Sequence, residues 1–440
     1  MRNTILLAAV AILAAGCNCD GGSKDGGMGG GGATGGGSAT GGGAATGGGV
    51  ATGGGAATGG GAATGGGAAT GGGAATGGGA ATGGGAATGG GTGCSGNFFT
   101  GIGELSDGGG SYVTALSRDG ITVVGMSSLS DGTNTAIRWR LDAGLESLGY
   151  LSNPIPESMA WGVNGDGTVV VGTSASSNVD CPGRQDEAFR WTEDGGISGL
   201  GDLPGDCFFS YAYAVSADGV VIAGGATNAL ANTAATWTVA GGWFDYGLAM
   251  SVGNSSALQA ISPDHQWMVG NYRVQAGSQY QAIRLNADGG LDNLGDVDGG
   301  EIYATASAVT DDGMTVVGYG EGDLTTQPFI WTPDGGLVTL FTTDPSGGGQ
   351  ANAISFDGTK IGGESDPGGG ALTVATLWDV TRAVAPVSTV LANEGINVPT
   401  GWVLTSVSGV AVNGSRINLA GNGQAPDGGA IGWYAQYCEN

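Results

Sequence analysis

The sequence predicts an all-β protein, a seven-bladed β-propeller of four-stranded antiparallel blades. Three observations support this prediction: a turn that recurs every 45 to 56 residues, a tryptophan at one position of nearly every repeat, and a final repeat that lacks its fourth strand. Repeats of this length, made of short strands, are typical of propeller blades. A solenoid would need polar end caps and would leave two open faces.

Two markers define the seven repeats. The first is a tight turn, found at Asp119-Gly120, Asp166-Gly167, Asp218-Gly219, Asp264-His265, Asp312-Gly313, Asp357-Gly358 and Asn413-Gly414. The second is a large apolar residue on a later strand. It is a tryptophan in six repeats, which accounts for six of the ten tryptophans, and Leu285 in the fourth repeat; the tryptophans are Trp139, Trp191, Trp237, Trp331, Trp378 and Trp433. Because both markers recur in the same order, we expect a single ring rather than two separate domains.

Each repeat is expected to form four strands. The first ends in AVS or AIS, and the Asp-Gly turn joins it to the second, which is usually VVG. A loop of variable length leads to the third strand, AFRW or AIRW, and a second tight turn leads to the fourth, GLxxLGxL. Alternating apolar residues separated by Asx-Gly turns are typical of antiparallel hairpins.

The ends of the repeat region predict how the ring closes. The seventh repeat stops after AIGWYAQYC, its third strand, while residues 99–105 match the fourth strand of the first repeat at residues 145–151. We therefore expect the N-terminal strand to complete the last blade, which leaves no sheet edge unpaired. The propeller domain is predicted to span residues 94–440.

Residues 1–16 are predicted to be an export signal of the lipoprotein type. Arg2 gives a positive end, residues 5–15 are apolar, and this apolar stretch is too short to span a bilayer. The segment LAAGC at residues 13–17 resembles the lipobox of bacterial lipoproteins, with the leucine displaced by one position. The resemblance implies that Cys17 is acylated and anchors the protein in the bacterial cell envelope or at the cell surface. The alternative is an ordinary secretory signal and a secreted protein.

Residues 17–93 are predicted to be a disordered Gly/Ala/Thr linker. Between residues 41 and 91 the sequence GGGAAT repeats every six residues, with one lapse at Val50. Such a tract has almost no apolar surface to bury and much backbone entropy to lose. We expect a flexible tether between the lipid anchor and the propeller.

The cysteines predict two disulfide bonds, which exported proteins can retain. Cys94 precedes the strand that completes the last blade and Cys438 follows the final strand, so a Cys94–Cys438 bond would lock the ring. Cys181 and Cys207 lie in connections on one face of the ring and form the second expected pair. Four cysteines allow three pairings, and free thiols are the alternative. Cys19 is left without an assigned partner.

The net charge of −26 limits the classes of partner. All but two of the acidic and all but two of the basic residues lie in residues 94–440, so the propeller domain carries the whole excess. Like charges repel nucleic-acid phosphates and anionic membrane surfaces. We expect no nucleic-acid partner, contact with a membrane through the lipid anchor only, and a monomer.

No residue is predicted to be catalytic, and no cofactor is expected. His265 is the single histidine and holds the glycine position of its turn, which favours a turn substitute over a base and excludes a multi-histidine metal site. Arginines of the kind that a sialidase would use hold one equivalent position in their repeats, which favours a structural role; they are Arg138, Arg190 and Arg284.

One acidic run is a candidate Ca²⁺ site. Asp296, Asp298 and Glu301 offer oxygen ligands separated by short spacings, although not those of an EF-hand. A solvated acidic turn is the alternative interpretation.

The repeats also resemble a known family. The segments EAFRWTEDGGISGLGDLPG and YAYAVSADGVVIAGG resemble the HAF family of bacterial extracellular repeats, and the likeness recurs over residues 99–440. The histidine of the family's His-Ala-Phe is replaced here by Glu187, Thr135 or Gln281. The resemblance implies export and a propeller-like body rather than a reaction. A lipobox followed by a Gly/Ala/Thr tract also resembles myxobacterial surface lipoproteins.

The variable loops indicate where a ligand would bind. The loops after the second and fourth strands differ in length and are polar, as at residues 173–186, 205–210 and 318–325. Binding tends to occur on variable loops that a rigid scaffold holds in place. The sequence therefore favours a non-catalytic envelope module that binds a protein or a glycan. The alternatives are a glycan hydrolase or lyase that uses carboxylates, and a passive structural protein of the envelope.

Overall fold

The structure is a computed structural model of the chain. It describes residues 96–105, 108–151, 156–176, 186–204, 208–229, 231–248, 255–273, 279–368 and 371–439, together with short strands between residues 33 and 88. The chain divides into two compact units, Met1–Gly93 and Cys94–Asn440. Each unit is described by itself.

The N-terminal unit contains ten strands of two or three residues. They are β1 (Ala33–Thr34), β2 (Ser38–Thr40), β3 (Ala44–Thr46), β4 (Val50–Thr52), β5 (Ala56–Thr58), β6 (Ala62–Thr64), β7 (Ala68–Thr70), β8 (Ala74–Thr76), β9 (Ala80–Thr82) and β10 (Ala87–Thr88). Every second strand pairs in parallel, which gives two five-stranded sheets.

This pairing differs from the expectation of a tract without regular structure. Its physical origin is the six-residue repeat, which puts identical backbone segments in register, as in the pairing of Ala44 with Ala56. That the tract acts as a flexible tether in solution stays a prediction.

The second unit is a seven-bladed propeller, which confirms the predicted fold class. Every blade is a four-stranded antiparallel sheet. Strand β11 (Phe98–Gly101) precedes the first blade and belongs to the last. Blade 1 contains β12 (Gly108–Leu116), β13 (Thr122–Leu129), β14 (Asn134–Arg140) and β15 (Gly144–Gly149). Blade 2 contains β16 (Ser158–Val163), β17 (Val169–Ala175), β18 (Asp186–Thr192) and β19 (Gly196–Gly199). Blade 3 contains β20 (Ser210–Val215), β21 (Val221–Thr227), β22 (Asn232–Thr238) and β23 (Gly242–Asp245).

The remaining blades follow in chain order. Blade 4 contains β24 (Ser256–Ile261), β25 (Trp267–Arg273), β26 (Tyr280–Asn286) and β27 (Leu291–Gly295). Blade 5 contains β28 (Ala304–Val309), β29 (Val316–Glu321), β30 (Thr326–Thr332) and β31 (Gly336–Thr339). Blade 6 contains β32 (Gly349–Ile354), β33 (Lys360–Ser365), β34 (Val374–Asp379) and β35 (Val384–Pro386). Blade 7 contains β36 (Val403–Asn413), β37 (Arg416–Gln424), β38 (Ala430–Cys438) and, as its outer strand, β11.

The ring closes as the sequence predicts. Strand β11 pairs antiparallel with β38, with Phe98 opposite Gln436 and Gly101 opposite Trp433. The strand is shorter than the predicted 99–105, and one further hydrogen bond follows it, from the amide of Ile102 to the carbonyl of Gly432 at 3.0 Å. A hydrogen bond of 3.1 Å from the amide of Cys438 to Asn97 Oδ1 extends the closure beyond the ladder.

The hydrophobic core lies between neighbouring blades. Between blades 1 and 2, for example, Trp191 packs against a buried cluster that includes Val124, Leu148 and Phe189. The tryptophan marker is on the third strand of its blade, as predicted, and six of the seven marker side chains are buried: Trp139, Trp191, Leu285, Trp331, Trp378 and Trp433. Burial of such large apolar side chains is the main stabilising term of the ring.

The Asp-Gly turns join the first and second strands on one face of the ring, which we call the turn face. In blade 3, Ser216 Oγ donates to Asp218 Oδ1 at 2.5 Å, and that carboxylate accepts from the amide of Val220 at 3.0 Å. The same contacts recur around Asp119, Asp264, Asp312 and Asp357. The glycine that follows has φ between 66° and 76° in six blades, a conformation that L-residues rarely adopt.

Among the residues that the structure describes in the propeller, one helix interrupts the β architecture. Helix α1 (Val387–Asn393) lies between blades 6 and 7, with Val387 and Leu391 buried. This insertion explains why the last two turns are the furthest apart in the sequence. Among the residues described, no helix is long and apolar enough to cross a membrane.

Candidate functional site

A β-bulge interrupts the first, innermost strand of every blade. In blade 2 the register with β17 shifts between Ala160 and Gly162, which leaves Trp161 unpaired in the ladder. The equivalent shift occurs in the other six blades. The seven bulge residues are Thr114, Trp161, Tyr213, Gln259, Ser307, Asn352 and Ser408, and all of them line one cavity in the central channel. We call this set the bulge ring.

A glycine on the second strand lies beneath each bulge. At Gly125, a Cβ atom would overlap with the carbonyl oxygen of Tyr112, two residues before the bulge residue Thr114. The same overlap arises at Gly172, Gly224, Gly270, Gly318, Gly363 and Gly421. The glycine of the VVG motif is therefore required by the bulge, and bulges of this kind re-aim a side chain.

The bulge ring lines a cavity of about 440 Å³. Besides the ring, its walls include Tyr112, Asn271, Tyr303, Thr305, Tyr319, Gln350, Glu364 and Ser406. These residues lie on the side of the bulge away from the Asp-Gly turns. The cavity therefore opens toward the face that carries the connections after the second and fourth strands, which we call the variable face. This is the face that the sequence favours for binding.

Aromatic rings form the wall of the channel at blades 2 and 3. Trp161 and Tyr213, two bulge residues, meet at a centroid distance of 5.7 Å and an angle of 68°. Tyr211 stacks on Tyr213 at 5.6 Å and 11°, and Phe209 meets Tyr211 edge-on at 4.5 Å. Burial, with a smaller effect of the Asp186 charge, raises the pKa of Tyr213 to about 12, so its phenol stays neutral.

The opposite wall carries amides and a carboxyl group. Gln259, Gln350 and Asn352 come from blades 4 and 6, and Glu364 lies on the second strand of blade 6. Burial raises the pKa of Glu364, and the nearby charge of Asp366 adds to this effect, although a hydrogen bond from Thr373 opposes it. The cavity thus offers aromatic faces at blades 2 and 3, further tyrosines at blades 1 and 5, and amide and carboxyl groups at blades 4 and 6.

An ion pair crosses the channel at the turn face. Arg118 Nη2 of blade 1 lies 2.5 Å from Asp311 Oδ2 of blade 5, and its guanidinium lies 4.9 Å from the ring of Phe356 in blade 6. The bulge ring also lines a smaller cavity of about 180 Å³, which extends to Arg118 and Pro263 at the turn face. The two ends of the channel therefore differ, and the larger space is at the variable face.

The arginines considered for a sialidase-type site act between blades instead. Arg138 stacks at 4.5 Å on Trp191 of the next blade and donates to the carbonyl of Gly167 at 3.3 Å. Arg284 repeats both contacts, at 4.7 Å from the Trp331 ring and 2.6 Å from the Gly313 oxygen. Their carboxylate partners are Glu146 and Asp292. Arg190 holds the same register position in blade 2. The structure does not bring these arginines together.

The candidate Ca²⁺ ligands do not form a cluster. Asp296 accepts hydrogen bonds from the amides of Val297 at 2.9 Å and Tyr303 at 3.1 Å, which shape its loop. Asp298 and Glu301 are exposed. Among the described parts of the chain, no group of three or more histidine, cysteine or acidic residues is placed to hold a metal ion.

His265 holds the glycine position of its turn, with φ 53°, as the sequence indicates. Its amide donates to the carbonyl of Ser262 at 2.9 Å, as the turn glycines do elsewhere. This is the behaviour of a turn residue, at the opposite face of the ring from the larger cavity.

The predicted lipid and disulfide sites lie mostly outside the described residues. This holds for Cys17, Cys19, Cys94, Cys181 and Cys207. Cys438 is disulfide-bonded, and its partner is not among the described residues. The Cys94–Cys438 and Cys181–Cys207 pairings therefore stay predictions.

The sequence analysis missed the bulge ring, although a signal was present. Each bulge residue stands five positions before the Asx of its turn, as Trp161 stands before Asp166. Its neighbours in the repeat keep one chemical type, while this position changes from blade to blade among aromatic, amide and hydroxyl side chains. Variation at one position of a regular repeat indicates a site that the scaffold does not constrain.

Comparisons with known proteins identify remote structural likenesses. No protein-family model and no curated protein matches the chain. The β-propeller domain of the Trilobed protease from Pyrococcus furiosus, which has an open velcro topology, is 12% identical over 74% of this chain and 95% of that chain, with a TM-score of 0.46. A TolB from Agrobacterium tumefaciens is 16% identical over 52% and 80%, with a TM-score of 0.38. TolB from Acinetobacter baumannii is 12% identical over 75% and 64%, with a TM-score of 0.36. Likenesses this remote carry no argument about function.

Proposed function

We propose that the protein is a non-catalytic binding module of the bacterial cell envelope and that it takes its ligand at the variable-face mouth of the central channel. One observation carries this proposal. Seven bulges, each with its own glycine beneath, place aromatic, amide and hydroxyl side chains around the central channel, where all seven line the cavity of about 440 Å³. A regular scaffold whose side chains vary at the positions that line a cavity is typical of a binding site.

The ligand of this proposal is a glycan or a protein segment. The cavity of about 440 Å³ is large enough for a few sugar units or side chains, and its lining mixes aromatic with polar groups. The net charge of −26 disfavours polyanionic ligands.

The test uses a variant that fills the cavity. Ser307 belongs to the bulge ring and is small, so Ser307→Trp would fill the space and remove from the lining only the hydroxyl group of Ser307 itself. Ser198→Trp, on the exposed outer strand of blade 2, is the matched control. Binding of the full chain to isolated polysaccharide and protein fractions of the envelope is measured by co-sedimentation. We expect Ser307→Trp to abolish binding and Ser198→Trp to preserve it; equal binding by both variants would overturn the proposal.

A glycan hydrolase or lyase is the second candidate function. The observation that favours it is the half-buried carboxyl group of Glu364 in the cavity, whose pKa is raised by partial burial, since acid catalysts in glycosidases have raised pKa values. The same polysaccharide fractions are assayed for released reducing sugar and for unsaturated products. Turnover that Glu364→Gln abolishes would favour the enzyme over the binding module.

We further propose that the chain is a lipoprotein anchored through acylated Cys17 and that its repeats are of the HAF type. The LAAGC segment and the seven repeats support this, with secretion as the alternative. Intact mass and non-reducing peptide mapping of protein purified from its native membrane fraction test the proposal. We expect a diacyl or triacyl mass on Cys17 and a peptide linking Cys94 to Cys438. An unmodified N-terminus would refute the lipid anchor, and Cys438 linked to another cysteine would refute the pairing.

A further inference from the structure

The aromatic rings at blades 2 and 3 form one series of ring contacts. Trp161 and Tyr213 belong to the bulge ring, and Tyr211 and Phe209 extend the series along β20 toward the variable face. We call Trp161, Tyr211 and Tyr213 the aromatic wall. All three side chains are partly exposed. Aromatic rings in a cleft supply flat apolar faces without demanding hydrogen bonds from them.

A second cavity lies along the aromatic wall. Its volume is about 250 Å³, and it is lined by the wall together with Met126, Asn134, Glu157, Ser158, Met159, Thr173 and Asp186. It shares Trp161 and Tyr213 with the larger cavity of the bulge ring. The Trp161 ring is oriented by a hydrogen bond of 3.2 Å from its Nε1 to Thr173 Oγ1. The two cavities therefore adjoin at Trp161 and Tyr213.

The polar groups opposite the wall suit hydroxyl groups. Gln259 and Gln350 line the larger cavity, and no side-chain hydrogen bond is recorded for either amide among the described residues. An amide offers both a donor and an acceptor, which matches a sugar hydroxyl. Burying these amides against a ligand without hydrogen-bonding groups would cost free energy. A ligand that fits both walls has apolar C–H faces and a polar rim.

The charge of the site selects among such ligands. Glu364 is the charged residue among the described residues of the larger cavity, and Glu157 and Asp186 line the adjoining one. A uronate or sulfated sugar would bring a second negative charge beside these carboxyl groups, at a cost that the low dielectric of the cleft increases. Uncharged hexoses avoid this cost.

We propose that the aromatic wall and the bulge ring form a subsite for an uncharged hexose oligosaccharide, with sugar rings stacked on Trp161 and Tyr211 and hydroxyls bound by Gln259 and Gln350. This inference rests on the proposed binding function and names its ligand class. The adjoining cavities accommodate consecutive residues of one glycan chain.

Isothermal titration calorimetry of the full chain tests this assignment with cellohexaose, maltohexaose and mannohexaose. Hexagalacturonate is the anionic probe and hexaglucosamine the cationic one. We expect at least one neutral hexasaccharide to bind, and at least tenfold more tightly than hexagalacturonate. Preference for hexaglucosamine would overturn the neutral class and assign the wall to cation recognition instead.

Ring variants separate stacking from a general loss of structure. Trp161→Ala should weaken binding at least tenfold, whereas Trp161→Phe, which retains a flat ring, should recover much of it. Tyr211→Phe should change affinity less than threefold, because it keeps the stacking face. Phe244→Ala is the matched control, since Phe244 is an exposed ring on the outer strand of blade 3 that contacts Tyr246 rather than the channel. It should leave affinity unchanged.

The outcomes distinguish this inference from the proposed function. If no neutral hexasaccharide binds while Ser307→Trp still abolishes binding to an envelope fraction, the hexose assignment fails and the binding function stands. If Trp161→Ala and Phe244→Ala reduce affinity equally, the aromatic wall is not the subsite. If neither the fractions nor the hexasaccharides bind, both proposals fail.

Discussion

Arg190 faces Ser198 across the third and fourth strands of blade 2, at the register position where Arg138 faces Glu146 in blade 1 and Arg284 faces Asp292 in blade 4. Blade 2 thus keeps the arginine of the inter-blade contact and lacks its carboxylate. The Nε–H of Arg190 is buried without a hydrogen-bond partner among the described residues. A buried donor without a partner is destabilising.

Ser198→Asp should therefore stabilise the propeller. We expect an increase of about 0.5–1 kcal/mol in the free energy of unfolding, because the new carboxylate can accept from Arg190. Chemical denaturation measures the change. The complementary variant is Glu146→Ser in blade 1, which should destabilise by about 1–3 kcal/mol by leaving the buried Arg138 with a weaker partner. A destabilising Ser198→Asp would show that the arginine position does not need a carboxylate.

The ion pair between Arg118 and Asp311 should contribute modestly to stability. Both side chains are 41% exposed, so solvent screens their attraction. A double-mutant cycle with Arg118→Met and Asp311→Asn should give a coupling free energy of about 0.5–1 kcal/mol, which falls in high salt. A coupling that salt leaves unchanged would contradict an electrostatic contact.

Replacement of the turn histidine should stabilise its blade. His265 has φ 53°, where the six equivalent residues are glycines. A side chain in this conformation is strained, so His265→Gly relieves strain in the folded state. Because glycine also increases the entropy of the unfolded chain, which offsets part of this gain, the free energy of unfolding should rise by up to about 1 kcal/mol. Thermal unfolding measures the effect. Gly219→Ala in blade 3 is the reciprocal variant and should destabilise; a stabilising result there would remove the conformational explanation.

The carboxyl group of Glu364 should cost stability at neutral pH. Burial first, and then the charge of Asp366, raises its pKa above the ordinary value of 4.5, so ionisation is less favourable in the folded state. A carboxyl group whose pKa is raised by folding stabilises the folded state at pH values below its pKa in the unfolded chain. This stabilisation is lost as the pH rises through its pKa in the folded state. Glu364→Gln should therefore unfold at a higher temperature than the wild type at pH 7, and the difference should shrink as the pH falls through the pKa of the folded state and vanish below 4.5.

Comparison of the two proteins over the same pH series removes the effect of the turn aspartates. Hydrogen bonds within the turns lower the pKa of Asp312, and they also lower the pKa of Asp218 and Asp357 against the opposing effect of burial. Protonation of these carboxylates in acid therefore destabilises both proteins. A difference between Glu364→Gln and wild type that grows in acid would contradict the assigned direction.

Local chemistry explains which parts of the fold could be predicted. The Asp-Gly turns and the tryptophans on third strands depend on residues close together in sequence, and sevenfold repetition made the pattern unambiguous. The missing fourth strand in the last repeat, with a match at residues 99–105, was enough to predict the closure that pairs β11 with β38.

The remainder depends on contacts that the repeat pattern does not encode. The bulges were missed because apolar alternation was interpreted as a continuous strand, although the glycines beneath them were visible. Nothing in the sequence indicates that Arg118 reaches Asp311, since the two belong to blades on different sides of the ring. Helix α1 is short and its apolar residues resemble those of a strand.

The closure by β11 also determines when folding can finish. The hydrogen bond between Cys438 and Asn97 joins residues 341 positions apart. During synthesis, β11 is made before every other propeller strand, whereas its partner β38 is made last. Until then, Phe98 and Phe99 have no strand to pair with, and six blades can assemble only as an open arc. The ring therefore closes only when the final strand is present. A propeller truncated before β38 would keep β11 unpaired and would lack the strand that joins β11 to the last blade.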